Sequence, residues 1–532
     1  IDHGLNSCLT QKRESDQIMI NSVSRLEDDM QEQVDLIRLR EFIKAHPKFT
    51  APAPTSDDLD NMLLQYREYM EKHGYDHNSI EIYIVRAKCA FEICGYLDQY
   101  SPEYGLLREL MFKYEQASLS KDKRNPNYVV YSVDVVLTVV MLAKLCGCNN
   151  CTEYAKFWFT ANPYLQCLIP GMPAPSYMIS SETIATCLKL VPDDCYEAIF
   201  HEMFAEVKLK LKDMLLNEDP NPENKDYRPT IGGDGQELRA SYRKGESSRQ
   251  KKGCHAVVIF NCDERVALGY TGVRLKNHEI DGFEKVLKKI SVPKDGIFYA
   301  DAINTRKSFI EFLNERELDW LLAVKGQKST KLIYQAIKTR FSSDTKATFS
   351  KSLPPKLVSG RIEERRFEVV PISELELEND FTAKTAVSVV KHTTFKLNTA
   401  EKTKRETTVT RYFISSLECT EENFEQIIHS ISVRWYYEQH HNTIDEVLLQ
   451  DRQAVCDEEH LAAIIGLNKF AFNVLSFARQ KLSMEGYAGI RHRSKKHRPM
   501  SYRSTVDSLR QDPSLAFKIL LRYLATDSVD AE

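Results

Sequence analysis

Pro229-Thr230-Ile231-Gly232-Gly233-Asp234-Gly235-Gln236-Glu237-Leu238-Arg239-Ala240-Ser241 is the stretch on which the fold turns. It follows a linker, Pro220-Asn221-Pro222, and it opens a change of pattern. Upstream, residues 127–215 read as helical. From here the chain alternates strands and helices. Pro229 to Gly232 reads as a short strand ending at Asp234. Ala256–Phe260 and Val266–Thr271 read as two strands joined by Asn261-Cys262-Asp263-Glu264, a hairpin signal. Glu279–Ile290 is helical, Gly296–Ala300 is a strand ending at Asp301, Arg306–Leu318 is helical, and Trp320–Val324 is a strand. That order is α/β.

Further along, residues 327–410 are rich in Thr, Ser, Lys and Val, with strand candidates at Arg366–Val370, Ala386–Val390 and Thr408–Ile414. They read as a β-rich insertion. Helix returns over Glu421–Gln450 and Glu458–Leu482, and a short helix closes the chain at Ser514–Leu524.

Three carboxylates stand out by placement. Asp234 follows the first strand, Asp301 sits at the carboxyl end of a later one, and Glu438 lies on a helix after the insertion. Open α/β sheets place their sites at carboxyl ends of strands, so the three could converge. Three hard oxygen ligands suit one or two Mg²⁺ or Mn²⁺ ions. Two such ions clamp the attacking and leaving oxygens of an in-line phosphoryl displacement. Placement alone does not separate this triad from a chance choice among 76 acidic residues.

The surrounding residues do. Ile231 to Ser241 resembles the Ile-Asp-Gly-Lys-x-Leu-Arg-Gly-Ser signature of the H-repeat-associated, ISAs-type DDE transposases, in the insertion-sequence-four superfamily. Phe298-Tyr299-Ala300-Asp301-Ala302 resembles the motif of the second aspartate, and Leu321 to Gln327 resembles Ala-Leu-Lys-Gly-Asn. Gly360-Arg361-Ile362-Glu363 and Arg411 to Leu417 match in order. Arg434-Trp435-Tyr436-Tyr437-Glu438 resembles the block carrying the final glutamate, and His460 to Leu475 resembles the closing helix. With Leu145–Cys148 and Pro175–Thr183 upstream, the resemblance spans residues 127–480, roughly two-thirds of the chain.

It implies an RNase H-like catalytic domain over 223–480 with the insertion at 327–410, preceded by all-helical N-terminal domains. These are a helical and linker segment at 1–54, a domain at 55–125, and a transposase-associated domain at 126–222. A basic tail, 481–532, follows. The resemblance implies Asp234, Asp301 and Glu438 as catalytic metal ligands for two Mg²⁺ or Mn²⁺ ions. It also implies phosphate contacts at Arg239, Lys325, Arg361 and Arg434. The partners would be double-stranded DNA, both transposon ends and target, and a second copy of the chain in a synaptic dimer.

Three departures stand out. Ile431 replaces the Tyr, and Asp445 the Lys, of the superfamily's Tyr-Arg-Glu-Lys helix. The three tryptophans, Trp158, Trp320 and Trp435, all lie outside the insertion, where some relatives stack a flipped base. Phe367 or another insertion aromatic would have to substitute. Gly233, in place of an apolar residue, is expected to loosen the first strand.

Composition sets the outer limits. The chain has 532 residues, 42% hydrophobic and 28% charged, which excludes wholesale disorder. The most apolar run, Val129–Leu145, is broken by Asp134 and Lys144 and reads as a buried helix rather than a span. No basic-then-apolar leader opens the sequence. Thirteen cysteines without disulfide-like spacing favour reduced thiols in a cytoplasmic-type compartment, and the resemblance implies association with DNA there. Cys146, Cys148 and Cys151 read as small core thiols.

The net charge of −4 points to no nucleic acid, so that case rests on local clusters. Arg239, Arg243, Lys244, Arg249, Lys251 and Lys252 crowd one loop. Lys495, Lys496 and Arg498 lie in the acid-free stretch Gly486–Arg503. Either cluster neutralises phosphates or is a solvated loop, and Lys325 is open to the same two readings. Trp435 reads as a core residue orienting the Glu438 helix, and His440-His441 as a solvated helix face.

Two other functions compete. A host-retained, catalytically silent DNA-binding protein would be free to lose carboxylates that this chain keeps. A tyrosine recombinase is prompted by a SAM-like helix pair in 55–100, with its Tyr66, Tyr69 and Asn78-Ser79-Ile80 pattern. That chemistry needs a His-x-x-Arg pair, and none of the 14 histidines has Arg three residues on.

Overall fold

The computed structural model describes residues 102–125, 128–169, 171–173, 178–204, 227–238, 254–273, 278–293, 295–343, 345–358, 361–377, 385–398, 406–453, 458–484 and 500–524, with a few scattered positions between 64 and 80. The expectations for 1–54, most of the SAM-like pair, Arg239 and its basic loop, and Lys495, Lys496 and Arg498 lie outside the described residues. The chain divides into two compact units, 1–143 with 152–187 and 511–532, and 144–151 with 188–510.

In the first unit the described elements are helices. They are α1 (Pro102–Ser118), most of α2 (Val133–Leu145) and α3 (Cys151–Leu168), the start of α4 (Ser181–Leu190), and α13 (Pro513–Leu524). α2 is the apolar run marked in the sequence, and Val135 through Leu137 and Val139 through Ala143 are buried.

The second unit is built on a nine-stranded mixed sheet, preceded by α5 (Asp193–Met203). The strands are β1 (Thr230–Leu238), β2 (Cys254–Asn261), β3 (Val266–Val273), β4 (Ile297–Ala300), β5 (Asp319–Val324), β6 (Phe349–Val358), β7 (Arg361–Pro371), β8 (Ser388–Asn398) and β9 (Glu406–Ser415). Their spatial order is β3-β2-β1-β4-β5-β9-β8-β7-β6. β1, β4 and β5 run parallel, and every other pairing is antiparallel.

Of the parallel strands, β4 and β5 are nearly continuous apolar runs, as strands covered on both faces must be. Phe298 and Ala300 of β4 and Trp320, Leu322 and Val324 of β5 enter one core. Tyr299, Leu321 and Ala323 enter the other. Helices α6 (Glu279–Leu287) and α7 (Lys307–Glu315) contribute Phe283, Val286, Phe309 and Ile310 to the first. Helix α9 (Glu421–Val433) contributes Phe424, Ile427, Ile428 and Ile431 to the second. Ile431, where the superfamily helix has Tyr, is therefore a core residue.

Two expectations need correction, and a third needs an addition. The first strand does not stop at Asp234 but runs on to Leu238, so Asp234 is mid-strand. Gly233 does not loosen it, because a Cβ there would come within 2.6 Å of Phe298 Cζ; the ring fills the space. The insertion is β-rich as expected, with four strands, but it also carries a helix the sequence did not mark. It opens with helix α8 (Lys331–Ser342), whose Ile333 and Ile337 are buried, and its strands extend the central sheet through the β5–β9 pairing.

After α9 come α10 (Trp435–Glu446), α11 (Glu458–Met484) and α12 (Tyr502–Gln511). Among the described residues, His460–Leu482 of α11 is the one helix stretch long and apolar enough to cross a membrane. Its most apolar window is 94% buried inside the protein, which is the position of a core helix.

Candidate active site

Asp234, Asp301 and Glu438 line one small cavity, of about 20 Å³, room for about one water. Strand alternation puts Gly232, Asp234 and Gln236 on one face of β1. Tyr299 lies on the same face of β4, and Asp301 follows that strand directly. Helix α10 crosses this face. Gly232 makes the approach possible: a Cβ there would stand 3.1 Å from Tyr437 Cδ2 and 3.2 Å from Cys262 Sγ. Tyr437 is buried against β1, with its hydroxyl 3.3 Å from the Asp234 carbonyl oxygen, and the next residue is Glu438.

Arg434 sits where α9 ends and α10 begins, and it governs the electrostatics. Its Nη2 donates to Glu438 Oε1 at 2.7 Å and lies 3.9 Å from Asp301 Oδ1. Its guanidinium carbon is 5.2 Å from the centre of the Tyr299 ring, a cation–π contact. Asp234 receives less help. The Gly235 N–H donates to its Oδ1 at 2.8 Å. Burial first, then the charges of Asp301 and Glu279, still push its carboxyl up to about 7.

Glu279 is a fourth acid that the sequence reading missed. It is buried at the start of α6, accepts from Asn304 Nδ2 at 3.0 Å, and would be overlapped by any Cβ at Gly235. His441 was read as solvated, and the structure corrects this. Its Nε2 stands 4.0 Å from Asp234 Oδ2, and burial lowers its pKa to about 3, so it is neutral. His440 is fully buried among Phe260, Tyr437 and Phe472. Trp435 is corrected in the other direction: it is 51% exposed and belongs to no core.

Behind the carboxylates lies a buried polar chain. Lys469 of α11 donates to Gln236 Oε1 at 3.1 Å, and Gln236 donates through Nε2 to Asp445 Oδ1 at 2.8 Å. Asp445, which stands where the superfamily has Lys, thus fixes β1 to α10. Burial lowers the Lys469 ammonium to about 7, against the opposing influence of Asp445.

Of the other sequence-derived site residues, Lys325 is exposed just past β5, and Arg361 is the first residue of β7. Phe367 cannot receive a flipped base. It is fully buried, with its ring stacked on His392 at 4.5 Å. Cys146 is buried and its thiol meets the Leu509 carbonyl at 3.2 Å, as a core thiol does.

The donors that face the cavity are hard oxygens, with negative charge in excess of the single guanidinium, and that chemistry suits a divalent cation of the Mg²⁺ class. As placed, no three of the described His, Cys, Asp or Glu side chains form a ready metal cage. The Arg434 guanidinium bonds Glu438 directly, so a cation there would meet a carboxylate already paired.

A family model of the transposase DDE domain matches residues 227–474. Over that segment the chain resembles the DDE transposase family. Its matched segment begins just before β1 and ends within α11, so it encloses all three carboxylates. The chain is 24% identical over 382 residues to the "H repeat-associated putative transposase YhhI" of Escherichia coli K12, covering 70% of this chain and 91% of that protein. It is 23% identical over 364 residues to the "Putative transposase YncI" of Escherichia coli O157:H7, covering 67% and 85%. Among solved structures, a piggyBac transposase synaptic complex with hairpin DNA shares 11% identity at a TM-score of 0.35, over 80% of this chain and 84% of that one.

Proposed function

We propose that this chain is a DNA transposase whose RNase H-like domain hydrolyses a phosphodiester at each transposon end. The freed 3′-hydroxyl is then joined to target DNA. The observation that carries the reading is the convergence of Asp234, Asp301 and Glu438, from three separate stretches of chain, on one cavity. In this reading they hold two divalent cations, which when bound supply Lewis-acid activation of water and neutralise charge developing on the phosphate.

The protein's own contribution is position. Asp234 is held mid-strand by its neighbours on β1, and Tyr437 and Gln236 tie that strand to α10. Water attacks phosphorus, the 3′-oxygen leaves with a proton, and the next attack on target DNA reuses the same site. No covalent bond to the protein forms, and orientation with electrostatic stabilisation lowers the barrier. Double-stranded DNA and a second copy of the chain are the partners, since two ends must be brought together.

The test is cleavage of a labelled duplex carrying the element's terminal repeats, with Mg²⁺ or Mn²⁺, beside Asp301→Ala. Nicking at the repeat boundary that falls more than about 100-fold in the variant supports the reading. Binding without any cut, in both proteins, supports the silent DNA-binding protein instead.

A further inference from the structure

The register of the sheet carries a cationic row next to the carboxylates. Ala323 of β5 lies opposite Phe413 of β9, Phe413 opposite Val390 of β8, and Val390 opposite Val369 of β7. This row shares the face of Tyr299, and all its members enter the core beneath α9. One pleat repeat further along the same face, Arg411 of β9 lies opposite His392 of β8, His392 opposite Phe367 of β7, and Phe367 opposite Lys351 of β6. Arg365 is two residues from Phe367 on the same face of β7.

The charges on this row are unequally matched. Lys351 pairs with Glu425 at 2.7 Å. Arg365 and Lys396 share the single carboxylate of Glu363, at 3.7 and 3.6 Å. Arg411 is exposed and, among the described residues, makes no hydrogen bond or ion pair. Beside it, His392 is 4% exposed, its Nε2 lies 3.3 Å from the Thr394 hydroxyl, and its Nδ1 has no partner among the described residues. Burial, then the charges of Arg365, Arg411 and Arg434, lower His392 to about 3, so it stays neutral within a positive field. Lys325 lies just past the end of β5, the strand beside β9, and is exposed too.

We propose that Arg411, with Arg365 two strands away on the same face, forms a backbone-phosphate subsite of the sheet extension that holds the DNA strand flanking the cut. The proposal deepens the transposase reading and rests on its substrate being DNA. Strand β9 lies two strands from β4, about 10 Å, and Arg411 lies about 7 Å beyond the Phe413 row. Together these place Arg411 about 12 Å from the carboxylate row, within reach of a phosphate on the strand flanking the reacting one. A guanidinium suits that role, because it offers paired donors to phosphate oxygens and keeps its charge at any working pH.

The experiment measures binding of a fluorescein-labelled duplex of mixed sequence by the full chain, in chelator, across a salt series. Arg411→Gln is expected to reduce the slope of log affinity against log salt by about 0.9, the value of one lost phosphate contact. Arg411→Lys should restore most of that slope, because it returns the charge. An unchanged slope in Arg411→Gln overturns the subsite, and so does a wild-type chain that binds no duplex. Since chelator removes cleavage from the assay, a reduced slope together with no nicking in the metal assay would sink the catalytic reading alone and leave the subsite standing.

Discussion

Lys469→Met is expected to make the protein more stable at neutral pH. Lys469 is fully buried on α11, with His440 and Gln236 around it. Its ammonium is lowered from 10.5 to about 7, first by burial. A fall of that size corresponds to about 4–5 kcal/mol of preference for the neutral amine inside the fold, an upper bound. The sign follows from linkage. Between pH 7 and 10.5 the unfolded chain binds the proton and the folded chain does not, so stability rises with pH across that window. Below pH 7 the full cost is present.

Methionine has a similar shape and no charge. It removes the cost but leaves the buried Gln236 oxygen without its donor, a loss of about 1–3 kcal/mol. The net expectation is a gain of about 1–3 kcal/mol at pH 7 and a flatter profile up to pH 10. Urea unfolding at pH 7 and pH 10, in chelator, measures both quantities. A variant less stable than wild type at pH 7, with the wild-type slope retained, would refute the reasoning. It would mean that the ammonium is charged in the fold and fully compensated by Asp445.

Two further outcomes follow from the same structure. Asp234→Asn should stabilise the metal-free protein above pH 7. The raised carboxyl of Asp234 contributes stability that is present below its unfolded value near 4 and lost as pH rises to about 7, and Asn has nothing to lose. The side chain is 39% exposed, so solvent screening trims the gain to about 1 kcal/mol. Unfolding midpoints in chelator at pH 4 and pH 8 would show the variant's advantage growing with pH, and an advantage that shrinks would contradict it. Gly233→Ala should cost about 1–3 kcal/mol by overpacking Phe298, read as a lower thermal midpoint, and a neutral result would show that the ring can move aside.

How much of this was legible in the sequence depends on what each element leans on. β4 and β5 could be read directly, because a run buried on both faces must be apolar throughout and the acid after β4 ends it. β1 was cut short because Gly232-Gly233-Asp234-Gly235 carries no β signal. Those glycines are set by partners far along the chain, namely Tyr437, Phe298 and Glu279. β6 was missed because Pro354-Pro355 reads as a breaker, although an edge strand tolerates it and the β6–β7 register shifts there. Trp435 and His440 were exchanged, core for surface, because helical periodicity fixes which residues share a face but not which face meets the sheet. Glu279 gave no signal at all: 45 residues separate it from Asp234.

The departure at Asp445 shows why a motif position and a physical role can part company. A lysine on α10 would carry positive charge on the helix that bears Glu438. Here a lysine comes from α11 instead, as Lys469, with its ammonium disfavoured by burial, and it reaches β1 through Gln236 rather than reaching the cavity. The cavity is left with one cation, Arg434, and its reach is unequal: 2.7 Å to Glu438 and 3.9 Å to Asp301. Neutralisation is therefore strongest at the helix and weakest at the sheet, where Asp234 already holds its proton up to about pH 7. A phosphate or a divalent cation arriving at this site meets two different acceptors. The anion is drawn to the Arg434 guanidinium, and the cation to Asp234 and Asp301. Each removes the reason for the other to stay away, because drawing Arg434 toward phosphate frees Glu438 for the cation. In the proposed reading the resting charge arrangement thus favours the two arriving together, because each takes a different partner of the Arg434–Glu438 pair and so weakens what opposes the other.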